Sequence, residues 1–163
     1  MENKLDLQAF KAKVKLEKKE TKRIFETLRK QKPKQLDQQF HEAHEEAFSK
    51  IDCLSCGNCC KTAGPRLLQA DIDRLAKNLR LKVGTFMDKY VRTDEDGDWV
   101  MKSLPCPFLG DDNYCSVYEA RPKACRDYPH TDRNGMHQIL KLTEKNVAYC
   151  PAVYEISRII AKS

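Results

Sequence analysis

Apolar residues recur at helical spacing through the first fifty positions. Leu7, Phe10, Val14, Thr21, Phe25 and Leu28 fall on one stripe of a 3.6-residue helix, with charges on the other faces. Pro33 interrupts the stripe, because proline has no amide hydrogen and its ring crowds the preceding turn. A second stripe follows through Leu36, Phe40, Ala43, Ala47 and Ile51. The pattern predicts an N-terminal helical hairpin, or one long bent helix, over residues 1–50.

The pattern changes after residue 50. Residues 53–65 contain Gly57 and Gly64 and no helical period, which predicts a loop. Ile72, Leu75, Ala76 and Leu79 predict a helix over 71–79, and Phe86, Met87 and Tyr90 a second over 83–91. Residues 93–97 read as a turn and 99–101 as a short strand. A turn at 110–113, between Phe108 and residues 114–118, predicts a small β-hairpin. Residues 122–127 have room for one helical turn. A last helix starts at Pro151, a residue suited to the first helical position.

Composition narrows this picture. Of 163 residues, 40% are hydrophobic and 33% charged, enough for one small-cored domain with an appended arm. The division expected is a basic helical arm, 1–50, and a second domain, 51–163. No run approaches the ~18–20 apolar residues of a membrane span. Residues 1–10 lack the apolar core of a secretory signal. The expectation is a cytoplasmic protein with no membrane partner.

The net charge of +6 is uneven. Between Lys11 and Lys34 there are eleven basic and three acidic residues. Such a run could meet an anionic surface, but a solvated helical face is the simpler reading. Phe25 is its only aromatic residue, so no base-stacking surface is indicated and nucleic acid is not an expected partner.

The candidate chemistry lies in eight cysteines: Cys53, Cys56, Cys59, Cys60, Cys106, Cys115, Cys125 and Cys150. A reducing compartment disfavours disulfides, so metal ligation explains them better. The first four form the run CLSCGNCC. Two-residue gaps let a loop curl so that its sulfurs converge, and Gly57 gives the backbone freedom to do so. A CxxCxxC loop with a distant fourth ligand is how bacterial ferredoxins hold a four-iron cluster. Structural zinc more often takes two CxxC pairs. Here one run exists and the other cysteines arrive singly, which favours an iron–sulfur cluster, 4Fe-4S, with zinc as the alternative.

Cys59 and Cys60 are adjacent, and neighbouring residues rarely aim both sulfurs at one metal ion. Two arrangements follow. In one, Cys53, Cys56 and Cys59 join one distal cysteine, while Cys60 joins the remaining three at a second site. In the other, a single cluster uses four cysteines and the rest pack around it. Prolines flank Cys106 and follow Cys150, restricting the chain there. Arg121, Lys123 and Arg126 surround Cys125, and positive charge favours thiolates.

Histidines add little. His41 and His44 are spaced i, i+3, one residue short of the HExxH zinc-protease pattern. They read as polar residues of a helix face. His130, close to Cys125 in sequence, is the best candidate for a further ligand or proton donor, and His137 sits in a turn region. Phosphate-binding GxxxxGK[ST], GxGxxG and GxSxG motifs are absent.

CLSCGNCC, then PCPFL, then YCSVYEARPKACRDYP, then a late cysteine, resembles the YkgJ-type cysteine-cluster proteins, a zinc- or iron-chelating domain with a CxxCxxCC signature. The resemblance covers about residues 52–151. It implies a bacterial cytosolic metal-binding domain with ligands at all eight cysteines. A related cysteine cluster occurs in flagellin lysine methylase, where it is linked to an iron–sulfur centre.

The expected fold class is therefore α+β, mainly α: a small metal-organised cysteine-cluster domain with a short β-hairpin, preceded by the helical hairpin. The expected function is metal binding in a redox, metal-handling or protein-partner-binding role. The alternatives are a structural zinc domain and a cluster-dependent enzyme modifying a protein or peptide.

Overall fold

The computed structural model describes residues 6–62 and 64–163. Among them the chain is mainly helical, with one small antiparallel sheet of three strands. This is the mainly α form of the α+β class that the sequence predicts. The chain divides into two compact units. One joins residues 1–53 to 129–163, and the other is the intervening stretch 54–128.

In the first unit, α1 (Leu7–Leu16), α2 (Lys18–Leu28) and α3 (Pro33–Phe48) carry the two apolar stripes. Asp6 caps α1 by accepting from the amides of Gln8 and Ala9. The stripes are buried at Phe10, Phe25, Leu28, Leu36, Phe40, Ala43 and Ala47. Their partners are the C-terminal helices of the same unit, α9 (Leu140–Asn146) and α10 (Pro151–Lys162). There Leu140, Val147, Val153, Ile156 and Ile160 are buried. The N-terminal helices thus share a core with the end of the chain.

The break between α1 and α2 falls at Glu17, which has a non-helical backbone (φ −94°, ψ 14°). Its carboxylate accepts from the Tyr154 hydroxyl at 2.6 Å and from Arg158 at 3.0 Å. A short polar segment precedes α9. Within it Asp132 meets His41 at 2.7 Å, Thr131 meets His44 at 2.8 Å, and Asp37 accepts the amides of Gly135 and Met136. The two histidines of α3 thus fasten this segment to the helix.

In the second unit, β2 (Val91–Thr93) and β3 (Trp99–Met101) pair antiparallel, Val91 opposite Met101 and Thr93 opposite Trp99. The Asp94 carboxylate closes their turn by accepting from the amides of Asp96 and Asp98. β1 (Arg66–Leu67) pairs with the other edge of β3. The helices α6 (Gln69–Asn78) and α7 (Val83–Tyr90) pack with the sheet around Leu67, Ile72, Leu75, Phe86, Met101 and Phe108. Cys106 and Cys115 are packed against this core.

Residues 53–65, predicted as a loop, instead contain two short helices, α4 (Cys53–Cys56) and α5 (Asn58–Thr62). Single turns are too short to show a period. Gly57 separates them at φ +61°, a left-handed conformation that glycine alone adopts without cost. The hairpin predicted near residue 112 is reduced to one bridge, Leu109 to Cys115, around a turn closed by Gly110 N donating to Tyr114 O at 2.8 Å.

Candidate metal centre

Six cysteines lie in the second unit. Cys56 ends α4, and Cys59 and Cys60 lie on α5. Cys106 stands between two prolines beyond β3, Cys115 follows the 110–113 turn, and Cys125 is on α8 (Lys123–Asp127). All six are half-buried. Cys53 and Cys150 belong to the first unit, where Cys53 is exposed and Cys150 is buried just ahead of α10. Cys56, Cys59, Cys60, Cys106, Cys115 and Cys125 are free thiols.

The backbone links three of them, Cys60, Cys106 and Cys115. The Cys106 amide donates to the Cys60 carbonyl at 2.7 Å, tying α5 to the proline segment. Leu109, whose amide bonds the Cys106 carbonyl at 3.0 Å, bridges to Cys115. The Gly57 backbone meets the 110–113 turn closely, and a Cβ at position 57 would stand 3.0 Å from Asn113 Cβ.

Cys125 is placed by a polar clamp. Asp71, in the first turn of α6, is only 2% exposed. Its carboxylate accepts from the Leu68 amide at 2.8 Å, from the Lys123 amide at 3.0 Å and from Arg74 at 2.8 Å. One carboxylate thus caps the starts of both α6 and α8. Arg74 also donates to the Arg121 carbonyl at 2.7 Å. Sequence reading missed this clamp, because its partners lie about fifty positions apart and an Asp near a helix start is common.

Electrostatics report the same grouping. Burial raises the thiol pKa of Cys56, Cys106 and Cys115. Cys60 is raised strongly, first by its hydrogen bond with the Cys59 thiol and then by burial. Cys125 is pushed up to about 12 by burial, with Cys60, Cys106 and Cys115 adding to the effect. Cys60, Cys106, Cys115 and Cys125 therefore lie within electrostatic reach of one another, and Cys56 and Cys59 within reach of Cys60. Two cations oppose the trend: Lys61 acts on Cys56 and Cys60, and Arg121 on Cys115 and Cys125. Lys123, also expected beside Cys125, pairs with Asp127 instead.

A family model, CxxCxxCC: putative zinc- or iron-chelating domain, matches residues 52–151. The chain belongs to this family. No curated protein and no solved structure matches it. The matched CxxCxxCC region spans the whole second unit and reaches into the first as far as Cys150.

The CxxCxxCC family implies a metal, and the donor set fits a thiophilic one. Thiolates are the ligands of zinc and of iron–sulfur centres. The Nε atom of Arg121 is buried with no hydrogen-bond acceptor, a donor suited to anionic sulfur. Among the described residues, no group of three or more His, Cys, Asp or Glu side chains stands arranged to hold a metal ion. Of the six thiols of the second unit, Cys60, Cys106, Cys115 and Cys125 act on one another electrostatically. Two histidines are engaged elsewhere, His41 with Asp132 and His44 with Thr131, and His130 belongs to the first unit at φ +61°.

Proposed function

We propose that this protein binds metal through thiolates, with Cys60, Cys106, Cys115 and Cys125 forming one four-sulfur site. The observation that supports this reading is that these four thiols of one compact unit act on one another electrostatically, with Cys106 bonded to the Cys60 backbone and Leu109 bridged to Cys115. Iron held as a 4Fe-4S cluster is the reading preferred for the chain, because Cys53, Cys56 and Cys59 of its CLSCGNCC run, outside this set of four, have the CxxCxxC spacing used for such clusters.

The residues have three tasks. They bind as thiolates, so loading must expel the protons that burial now holds on them. The cations Lys61 and Arg121 offset the charge that results. The apolar core packs behind Cys106 and Cys115 and covers them on that side. When bound, a cluster would supply electron transfer, and zinc would supply rigidity alone. Four thiolates leave no protein-free position, which favours a carrier or structural role over a substrate-binding metal. Thiols that must stay reduced suit the cytoplasm. No helix of the described residues is long and apolar enough to cross a membrane.

Structural zinc is the second reading, favoured by the same closed set of four thiolates. Anaerobic purification decides between them. A brown protein with iron and sulfide in equal amounts supports the cluster. Colourless protein with zinc alone rejects the cluster and keeps the site. Protein that binds neither metal rejects both.

A further inference from the structure

Arg121 is set unusually for a cation next to a cysteine site. Its guanidinium lies over the Tyr118 ring, 3.7 Å from the centroid, which favours a planar cation. Its carbonyl is held by Arg74, itself paired with the buried Asp71. Its Nε hydrogen is buried and has no acceptor. A buried charged donor left unpaired costs free energy, so a group of this kind calls for an acceptor in the functional state. Cys125 is four residues further on, and Cys115 is three residues before Tyr118.

We propose that Arg121 is the outer-sphere partner of the four-thiolate site, its Nε hydrogen donating to a metal-bound sulfur and its charge offsetting the thiolates. The proposal rests on the site assigned above. Arg74 holds the Arg121 backbone and Tyr118 its guanidinium, so little ordering accompanies loading. Of the three basic residues around Cys125, Arg121 is chosen because Lys123 is engaged by Asp127 and Arg126 is exposed.

The test uses the full chain, loaded anaerobically with cobalt(II). Affinity is read by chelator competition, and the sulfur-to-cobalt charge-transfer band by absorption. Arg121→Met should weaken binding about 10–100-fold, the usual effect of losing an outer-shell partner. It should also move the band to lower energy, because a sulfur that loses a hydrogen bond gives up its electrons more easily. Arg121→Lys, which keeps the charge, should bind with intermediate affinity. Arg121→Gln serves in place of Arg121→Met if Trp99 emission shows that the latter is unfolded. An unmoved band overturns the proposal, whether affinity falls or not, because packing on Tyr118 would then explain any loss. Cys125→Ser separates the two levels. If it binds cobalt like the wild type, the four-thiolate site is wrong and the role of Arg121 falls with it.

Discussion

Replacing Asp71 by Asn tests how Cys125 is held. The carboxylate is 2% exposed and accepts three N–H donors, from Leu68, Lys123 and Arg74. Burial by itself would raise its pKa. The two amides and Arg74 outweigh burial and hold the carboxyl below its ordinary value. An Asn side chain can still accept through one oxygen but turns an N–H₂ toward a donor and loses the charge. Hydrogen bonds to a charged group contribute about 1.5–3 kcal/mol each. Losing one outright and weakening two should destabilise the second unit by about 3 kcal/mol. Arg74 is one-third exposed, so its share is small.

Trp99 makes the measurement specific. It is the only tryptophan of the chain and packs on the core of the second unit. Urea unfolding of metal-free, reduced protein, followed by Trp99 fluorescence, therefore reports on that unit. The pH dependence adds a second check. A carboxyl with a lowered native pKa stabilises the fold above its unfolded value of about 3.9 and ceases to do so as pH falls through the native value. The gap between wild type and Asp71→Asn should therefore narrow on acidification. A loss under about 1 kcal/mol at pH 7, or a gap constant down to pH 3, would refute the clamp as described.

Three further outcomes follow from the same geometry. Gly57→Ala should lower stability by about 1–2 kcal/mol in the Trp99 unfolding curve, from the left-handed backbone, with more from the 3.0 Å approach of Asn113; an unchanged midpoint would contradict that close approach. Phe86→Ala should cost about 3–5 kcal/mol, because Phe86 is fully buried and touches both Tyr90 and Phe108; the same unfolding curve measures it. Metal-free protein should lose stability as pH rises past about 8.5, where unfolded thiols ionise while those of Cys60, Cys106, Cys115 and Cys125 stay protonated in the fold. Loaded protein should instead release metal as pH falls, since protons compete for the thiolates; titrating both forms by Trp99 emission and metal content checks the opposite signs.

The fold was legible where the chemistry is periodic. The stripes through Phe10, Phe25, Phe40 and Ala47 locate α1 to α3, and Ile72, Leu75 and Phe86 locate α6 and α7. Which surface those stripes cover was not legible. That α3 packs with α10 is a pairing of distant segments, and no local pattern encodes it. The helix α9 and the two-residue strand β1 escaped notice because each is too short for a period to register. The turns of α4 and α5 were hidden by Gly57, which punctuates the sequence as a loop would.

The cysteines declared themselves through spacing. Their neighbours did not. Adjacency alone separates Cys60 from Cys59 but leaves open which distal cysteines Cys60 meets; in the structure its electrostatic neighbours include Cys106, Cys115 and Cys125. Arg121 was visible only as one of three nearby cations. Its selection depends on Tyr118 and on the Asp127 partner of Lys123, both matters of side-chain placement.

The central claim is that Cys60, Cys106, Cys115 and Cys125 act as one site. Metal content per chain in anaerobically loaded Cys60→Ser, Cys125→Ser and the double variant tests it most directly. Ligands of one centre are lost together. The account predicts that each single variant loses the same metal, and that the double variant loses no more than either. A double variant that loses the sum of the two single losses would place Cys60 and Cys125 at different centres and contradict the account.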